Sequence, residues 1–333
     1  RCPADAATCS TVARIIAITA FMFGLSHLTE VKPDADEGAV KVLGSIASIA
    51  FGHFQMAVHI FTLPAIPWPL WLKRVMELLR NIAFISFADF AQPECQADVD
   101  DPEQMFLLKY FLKQGIFALL FGTFFAMFLT GKLTGHSGMR NHAVNSMTAL
   151  FSICFLLLVR SNAAIWDCSA NDGLPARCSD PFFATEEDCP CGQWLPAVEE
   201  RSTVDEFPGM TCSGSTYWAV AIFSAVSLIL YVIVLPAFFL RKLSNARKAG
   251  TLVDADTKAQ FGWLFLRYKF HACHYYEFIA MARKALIVLA GMFVSSNPSA
   301  VLALTLAILC GSLLVHSKLR PYADHELDHS DED

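Results

Sequence analysis

The residues able to do chemistry in this chain of 333 residues are few, and several sit inside long apolar runs. Glu277, Arg283 and Lys284 open one such run, His53, Gln55 and His59 lie within another, and Arg160 closes a third. A charged side chain at the centre of a membrane helix costs about 2.5–3.5 kcal/mol on insertion scales, so each ionisable group there is a candidate for a specific role. The chemistry open to such groups is pairing between helices, gating, lipid contact or passage of an ion. Glu277 and Lys284 are seven apart and share a helical face, whereas Glu277 and Arg283, six apart, do not. At least one of the two bases is expected to meet Glu277, another helix or a lipid phosphate. Arg160 stands at a helix end, where a long side chain can reach the interface. Gln55, His53 and His59 fit interhelical hydrogen bonds better than catalysis.

The elements that must hold these groups are seven apolar runs: Val12–Leu25, Val42–Leu63, Met105–Leu129, Ala143–Val159, Tyr217–Leu240, Phe278–Val294 and Val301–Val315. A hydrocarbon core of about 30 Å takes roughly 20 helical residues. The first and last runs are short and need flanking residues. The composition agrees, with 55% hydrophobic and 17% charged residues and 28 Phe; soluble domains carry about 25% charged residues. The reading is an all-α polytopic membrane bundle over 10–316, preceded by residues 1–9 as the end of a cysteine-rich segment and followed by an acidic tail, 317–333. The chain opens at Arg1 with no signal peptide, which reads as a fragment or a processed product. Pro236 predicts a kink late in the fifth run.

Charge sets the expected orientation. Trp166–Thr216 holds ten acids (Asp167, Asp172, Asp180, Glu186, Glu187, Asp188, Glu199, Glu200, Asp205, Glu206) against Arg177 and Arg201. Arg241–His274 holds seven bases (Arg241, Lys242, Arg247, Lys248, Lys258, Arg267, Lys269) against Asp254 and Asp256. Lys and Arg near membrane ends stay cytoplasmic. The 166–216 loop is therefore expected outside and 241–274 inside, with an extracellular N-terminus and a cytoplasmic C-terminus. Thr29–Lys41 fits less well, with four acids to two bases on the expected inner side.

This topology places Cys2, Cys9, Cys95, Cys168, Cys178, Cys189, Cys191 and Cys212 outside, an even set suited to disulfides. Eight cysteines allow 105 pairings. Bonds within the 166–216 loop are favoured, since a loop of about 50 residues without a strand or helix pattern needs a covalent or functional reason. Five cysteines in that loop are odd in number, so one pairs elsewhere, Cys95 being nearest, or stays free. Cys189-Pro-Cys191 has a metal site as its rival reading, but no histidine lies in the loop.

Between the second and third runs, Leu70, Trp71, Val75, Leu78 and Leu79 recur at helical spacing among Lys73, Arg74, Glu77 and Arg80, which suits an interfacial amphipathic helix. Ile82–Phe90 is too short to span. Phe261–Lys284 interleaves aromatics and bases and reads as a helix on the inner membrane face, with Arg267 and Lys269 meeting anionic lipid heads; the sharper reading makes it a coupling element for the last two spans. His271, Cys273 and His274 offer three metal donors with no evident fourth. No nucleophile elbow, phosphate loop, zinc-protease helix or pair of intramembrane carboxylates is present, so no enzymatic activity, cofactor or nucleic-acid partner is expected.

Several phrases recur in an order that resembles a known family. They are Cys2 and Cys9 before the first span, Gln55 in the second, Trp68-Pro69, Pro93-Glu94-Cys95 and the cysteine-bearing loop. They continue with Pro236, Phe261-Gly262-Trp263-Leu264-Phe265, Arg267-Tyr268, Tyr275-Tyr276-Glu277, Arg283-Lys284 and Arg320-Pro321-Tyr322. The chain resembles the transient-receptor-potential-like or polycystin-like membrane module of large cysteine-rich protist and algal surface proteins. The resemblance implies a cation-channel-like or sensory protein of the plasma or flagellar membrane. Its implied partners are lipid, cations, a cysteine-rich extracellular partner or ectodomain, and further copies of itself. One departure stands out: Ser295–Ser299 is the whole link between the last two spans, too short for a pore helix and filter. A non-conducting anchor for an extracellular assembly and a seven-helix receptor are the competing readings.

Overall fold

The computed structural model describes residues 39–61, 102–171, 201–204, 207–266, 275–294 and 297–322, with shorter pieces at 24, 68–69, 71–72, 75–76, 79, 177–178, 194–195 and 268. The helices are α1 (Ala39–Phe61), α2 (Pro102–Thr134), α3 (Ser137–Ala163), α4 (Ser215–Ile229), α5 (Leu235–Lys248), α6 (Ala255–Phe265), α7 (Tyr276–Phe293) and α8 (Pro298–Leu319). Six of the seven apolar runs coincide with helices; the first, Val12–Leu25, lies outside the described residues apart from Gly24.

Four helical units are long and apolar enough to cross a membrane: Glu103–Thr134, Ser137–Trp166, Ser215–Lys248 and Pro298–Leu319. The chain is thus a mostly helical, membrane-embedded protein. Of the other two, α7 packs Glu277, Arg283 and Lys284 into 18 residues, and the apolar part of α1 is Ile49–Phe61. Their surfaces tell the same story. Along the rod Ser215–Lys248 the exposed side chains include Trp218, Ile222, Val226, Ile229, Ile233 and Phe238. Twenty residues separate the first from the last, about 30 Å of helix, the thickness of a hydrocarbon core.

The hub is α3. In its apolar window 72% of residues are buried, against 11% for α8. Leu150, Phe151, Phe155 and Leu158 of α3 join Phe117 and Phe124 of α2, Phe239 and Leu243 of α5, and Phe278, Met281 and Val288 of α7 in one core. The α2–α3 hairpin turns at Gly135, whose φ of +74° favours glycine. Gly131 is needed for a second reason: a Cβ there would sit 2.9 Å from the backbone nitrogen of Arg140.

Leu230–Val234 is a π-turn joining α4 to α5, just before Pro236, where a kink is expected from sequence. Its amide bond runs from Leu235 to the carbonyl of Leu230. Proline at 236 has no N–H to offer the carbonyl four residues earlier, so a wider turn is locally favoured. The helix α8 starts at an Asn297 cap, whose side chain accepts from the Ala300 amide, with Pro298 in the first turn. It stops at Arg320, which is left-handed at φ 41°, just before Pro321.

The 166–216 loop departs from expectation. Its described residues form antiparallel strands: β1 (Cys168–Asn171), β4 (Arg201–Val204) and β5 (Phe207–Thr211) in one sheet, β2 (Arg177–Cys178) with β3 (Trp194–Leu195) in another. Strands of two to five residues carry too little alternation to stand out in sequence. Val204 and Met210 pack on Phe106 and Tyr110 of α2, so the larger sheet seals one end of the bundle.

Candidate functional site

Each end of the bundle has a polar clamp. At the sheet end, Tyr110 donates to Asn162 Oδ1 at 2.7 Å, Ser224 donates to the Asn162 carbonyl at 2.6 Å, and Trp166 donates to Ser224 at 3.2 Å. A disulfide joins Cys168 to Cys212, 44 residues on, and closes the base of the loop. At the opposite end, Asn141 of α3 donates to Asp256 at 2.8 Å and accepts from Gln260 at 2.9 Å, while Asn145 accepts from the Trp263 amide at 3.0 Å. These bonds fix α6 along α3, so the start of α3 and the end of α5 share one face of the bundle.

Between the clamps lies the charged cluster. Glu277 is buried, and both of its carboxylate oxygens are engaged. Ser152 of α3 donates to Oε1 at 2.5 Å, and Tyr268 donates to Oε2 at 2.6 Å. Charge-assisted bonds of this kind are short and strong, and they hold the acid where bare burial would be prohibitive. Tyr268 reaches further. Its backbone bridges Tyr322, which follows α8, and its ring lies 5.8 Å from the Tyr322 ring and 5.2 Å from that of Tyr276. Tyr276 in turn shares a 2.9 Å hydrogen bond with Nδ1 of His316 on α8. Three phrases separated in sequence, ending at Tyr268, Glu277 and Tyr322, are thus brought together.

The bases continue the cluster along α7. Glu277 and Lys284 are both buried, 5% and 8% exposed, on the face their spacing specifies. Arg283 points the other way and donates from Nη1 to Ser312 of α8 at 3.0 Å. Lys284 lies against α1, where a Cβ on Gly52 would stand 3.3 Å from its Nζ. One acid and two bases therefore tie α7 to α1, α3 and α8.

Other expected residues fall apart from this cluster. Gln55 donates to the Ile153 carbonyl at 3.3 Å and links α1 to α3. His59 is buried higher on α1, on the side of Arg160. Arg267, Lys269, His271, Cys273 and His274 lie outside the described residues, as do Cys2, Cys9, Cys95, Cys189 and Cys191; of Cys178 only the backbone is described. Among the described residues no group of three His, Cys, Asp or Glu side chains is placed to hold a metal. The single inner-face helix expected over Phe261–Lys284 is instead two helices. Tyr268, between the two helices, and Tyr276, at the start of α7, are buried, and their hydroxyls find partners in Glu277 and His316. Ser152, Ser312 and His316 gave no signal in sequence: the two serines are small polar residues of a kind common in apolar runs, and His316 directly follows the last run.

Comparison of the chain with protein-family profiles, curated proteins and solved structures found no match.

Proposed function

We propose that this membrane protein is a transient-receptor-potential-like sensory module, in which the Glu277 cluster couples the segment before α7 to the last two helices. The observation that carries the reading is the carboxylate held between Ser152 and Tyr268, with Tyr268 also resting on the chain leaving α8. A hydrogen bond to a charged group is worth about 1.5–3 kcal/mol. Making or breaking one would shift a two-state balance by one to two decades, the scale a signal needs. The charge asymmetry supports an orientation with the sheet and the Cys168–Cys212 bond outside and Arg241–Lys248 in the cytoplasm. In that frame the seven apolar runs are seven spans, and the remaining external cysteines join further disulfides or an ectodomain.

A second reading has its own support. The link from α7 to α8 is only 294–297, with no room for a pore loop. The module would then anchor or sense without conducting through that hairpin. Cation flux into proteoliposomes carrying the full chain separates the two. Flux above empty liposomes that changes in Arg283→Gln, at unchanged folded yield, supports the coupled channel. No flux from well-folded protein leaves the anchor. Equal loss of folded protein and flux would mark the cluster as structural.

A further inference from the structure

A groove of about 430 Å³ opens where α5 meets α7, lined by Leu240, Ser244, Tyr275, Phe278, Ile279 and Ala282. Its walls are apolar apart from the two hydroxyl-bearing residues, Ser244 and Tyr275. It is a shallow, open groove, not an enclosed cavity. On α5, Leu240 and Ser244 share their helical face with Arg247 and Lys248, at spacings of four, seven and eight. Both bases are exposed and sit one turn beyond the groove. Lys242 belongs to the opposite side of the same helix and lies over the Phe238 ring at 5.8 Å.

The order along one face is therefore apolar groove, hydroxyl, then two free-standing positive charges at the bundle's end. Among the described residues, the acids near this end are Asp254 and Asp256, and Asp256 is already held by Asn141. We propose that this is a seat for one anionic phospholipid. An acyl chain fills the groove between Leu240 and Ala282, the glycerol region meets the Ser244 level, and the phosphate-bearing headgroup meets Arg247 and Lys248. Bases at a helix C-terminus also complement the helix dipole. That accounts for their charge but not for an apolar groove leading to them. The inference needs the membrane placement and not the channel reading, since an anchor would bind the same lipid.

Native mass spectrometry of the full chain tests this, with the protein purified in detergent and exchanged into mixed micelles of phosphatidylcholine and phosphatidylserine. Phosphatidylserine should be retained at least tenfold better. The Arg247→Gln/Lys248→Gln variant should weaken retention about thirtyfold, at about 1 kcal/mol per base near an anionic headgroup. Ala282→Phe, which fills the groove, should release both lipids, and Lys242→Gln should change nothing. If the double variant does not fold, Lys248→Gln alone should weaken retention about fivefold. Equal retention of the two lipids would overturn the proposal. So would equal losses in Lys242→Gln and the double variant, which would leave only diffuse surface attraction. Unchanged retention in Ala282→Phe would remove the chain seat, and displacement by excess inorganic phosphate would make the bases a free-anion site.

Discussion

Replacing Tyr268 by Phe removes a donor to the Glu277 carboxylate and leaves the ring stack intact. The bond lost is 2.6 Å long, buried and directed at a charged acceptor. Such bonds contribute about 1.5–3 kcal/mol, so the folded-to-unfolded ratio should fall between tenfold and about a hundredfold. Ser152→Ala removes the partner donor and should cost a similar amount. The two substitutions share one acceptor, so they should not add. A coupling of about 0.5–3 kcal/mol is expected between groups in one network. The double variant removes both hydroxyl donors from one buried carboxylate, and should therefore differ from the sum of the single costs. Unfolding of the detergent-solubilised protein in graded denaturing detergent, followed by tryptophan fluorescence, gives the four free energies of the cycle. Single costs below about 0.5 kcal/mol with strict additivity would refute the clamp, because that is the behaviour of unengaged positions.

Gly131→Ala should destabilise the α2–α3 hairpin by about 1–3 kcal/mol, because the new methyl group meets Arg140 backbone at 2.9 Å and backbone cannot swing aside; thermal melting of the variant checks this. Gly52→Ala should be mild, since the contact at 3.3 Å is the flexible end of Lys284, while Gly52→Leu should displace that amine and lower the melting temperature clearly. Opening the Cys168–Cys212 bond releases a loop with a sequence separation of 44, worth about 4 kcal/mol on the chain-entropy argument, so melting with and without reductant should differ strongly. Peptide mapping under non-reducing conditions should recover the two cysteines joined. Asn141→Leu should loosen the start of α6 on α3 by removing the bonds to Asp256 and Gln260, seen as faster amide exchange over Ala255–Phe265.

Much of the architecture was legible because membrane helices must be apolar for about 20 residues at a stretch, and few other segments are. At Pro236 a kink is the expectation from sequence, and the structure has a π-turn just before it, since proline acts on the backbone directly. The Glu277–Lys284 face followed from spacing alone. The strands around Val204 and Met210 were not legible, being only four and five residues long. Nor was Ser152, 125 residues from its acid, since nothing in a lone serine says which helix it will face. The break between α6 and α7 was hidden for a different reason. A tyrosine at a membrane surface and one buried on a carboxylate have the same sequence signature, an aromatic ring with a polar tip.

The π-turn at Leu230–Val234 amounts to one surplus residue wound into an otherwise regular rod. Ser224 and Leu243 are both fully buried, yet nineteen residues at 100° each would set them about 100° apart. Discounting the surplus residue leaves eighteen, five whole turns, and both side chains return to the same side. The wide turn thus works as a phase correction that keeps two inward stripes aligned across its length. A chain lacking one residue within 230–234 would wind straight and still present Ser224 and Leu243 to α3 and its neighbours. The same deletion a turn or two away would keep the surplus and rotate half of the rod toward lipid. Length variation along this helix is therefore cheap at one address and costly everywhere else.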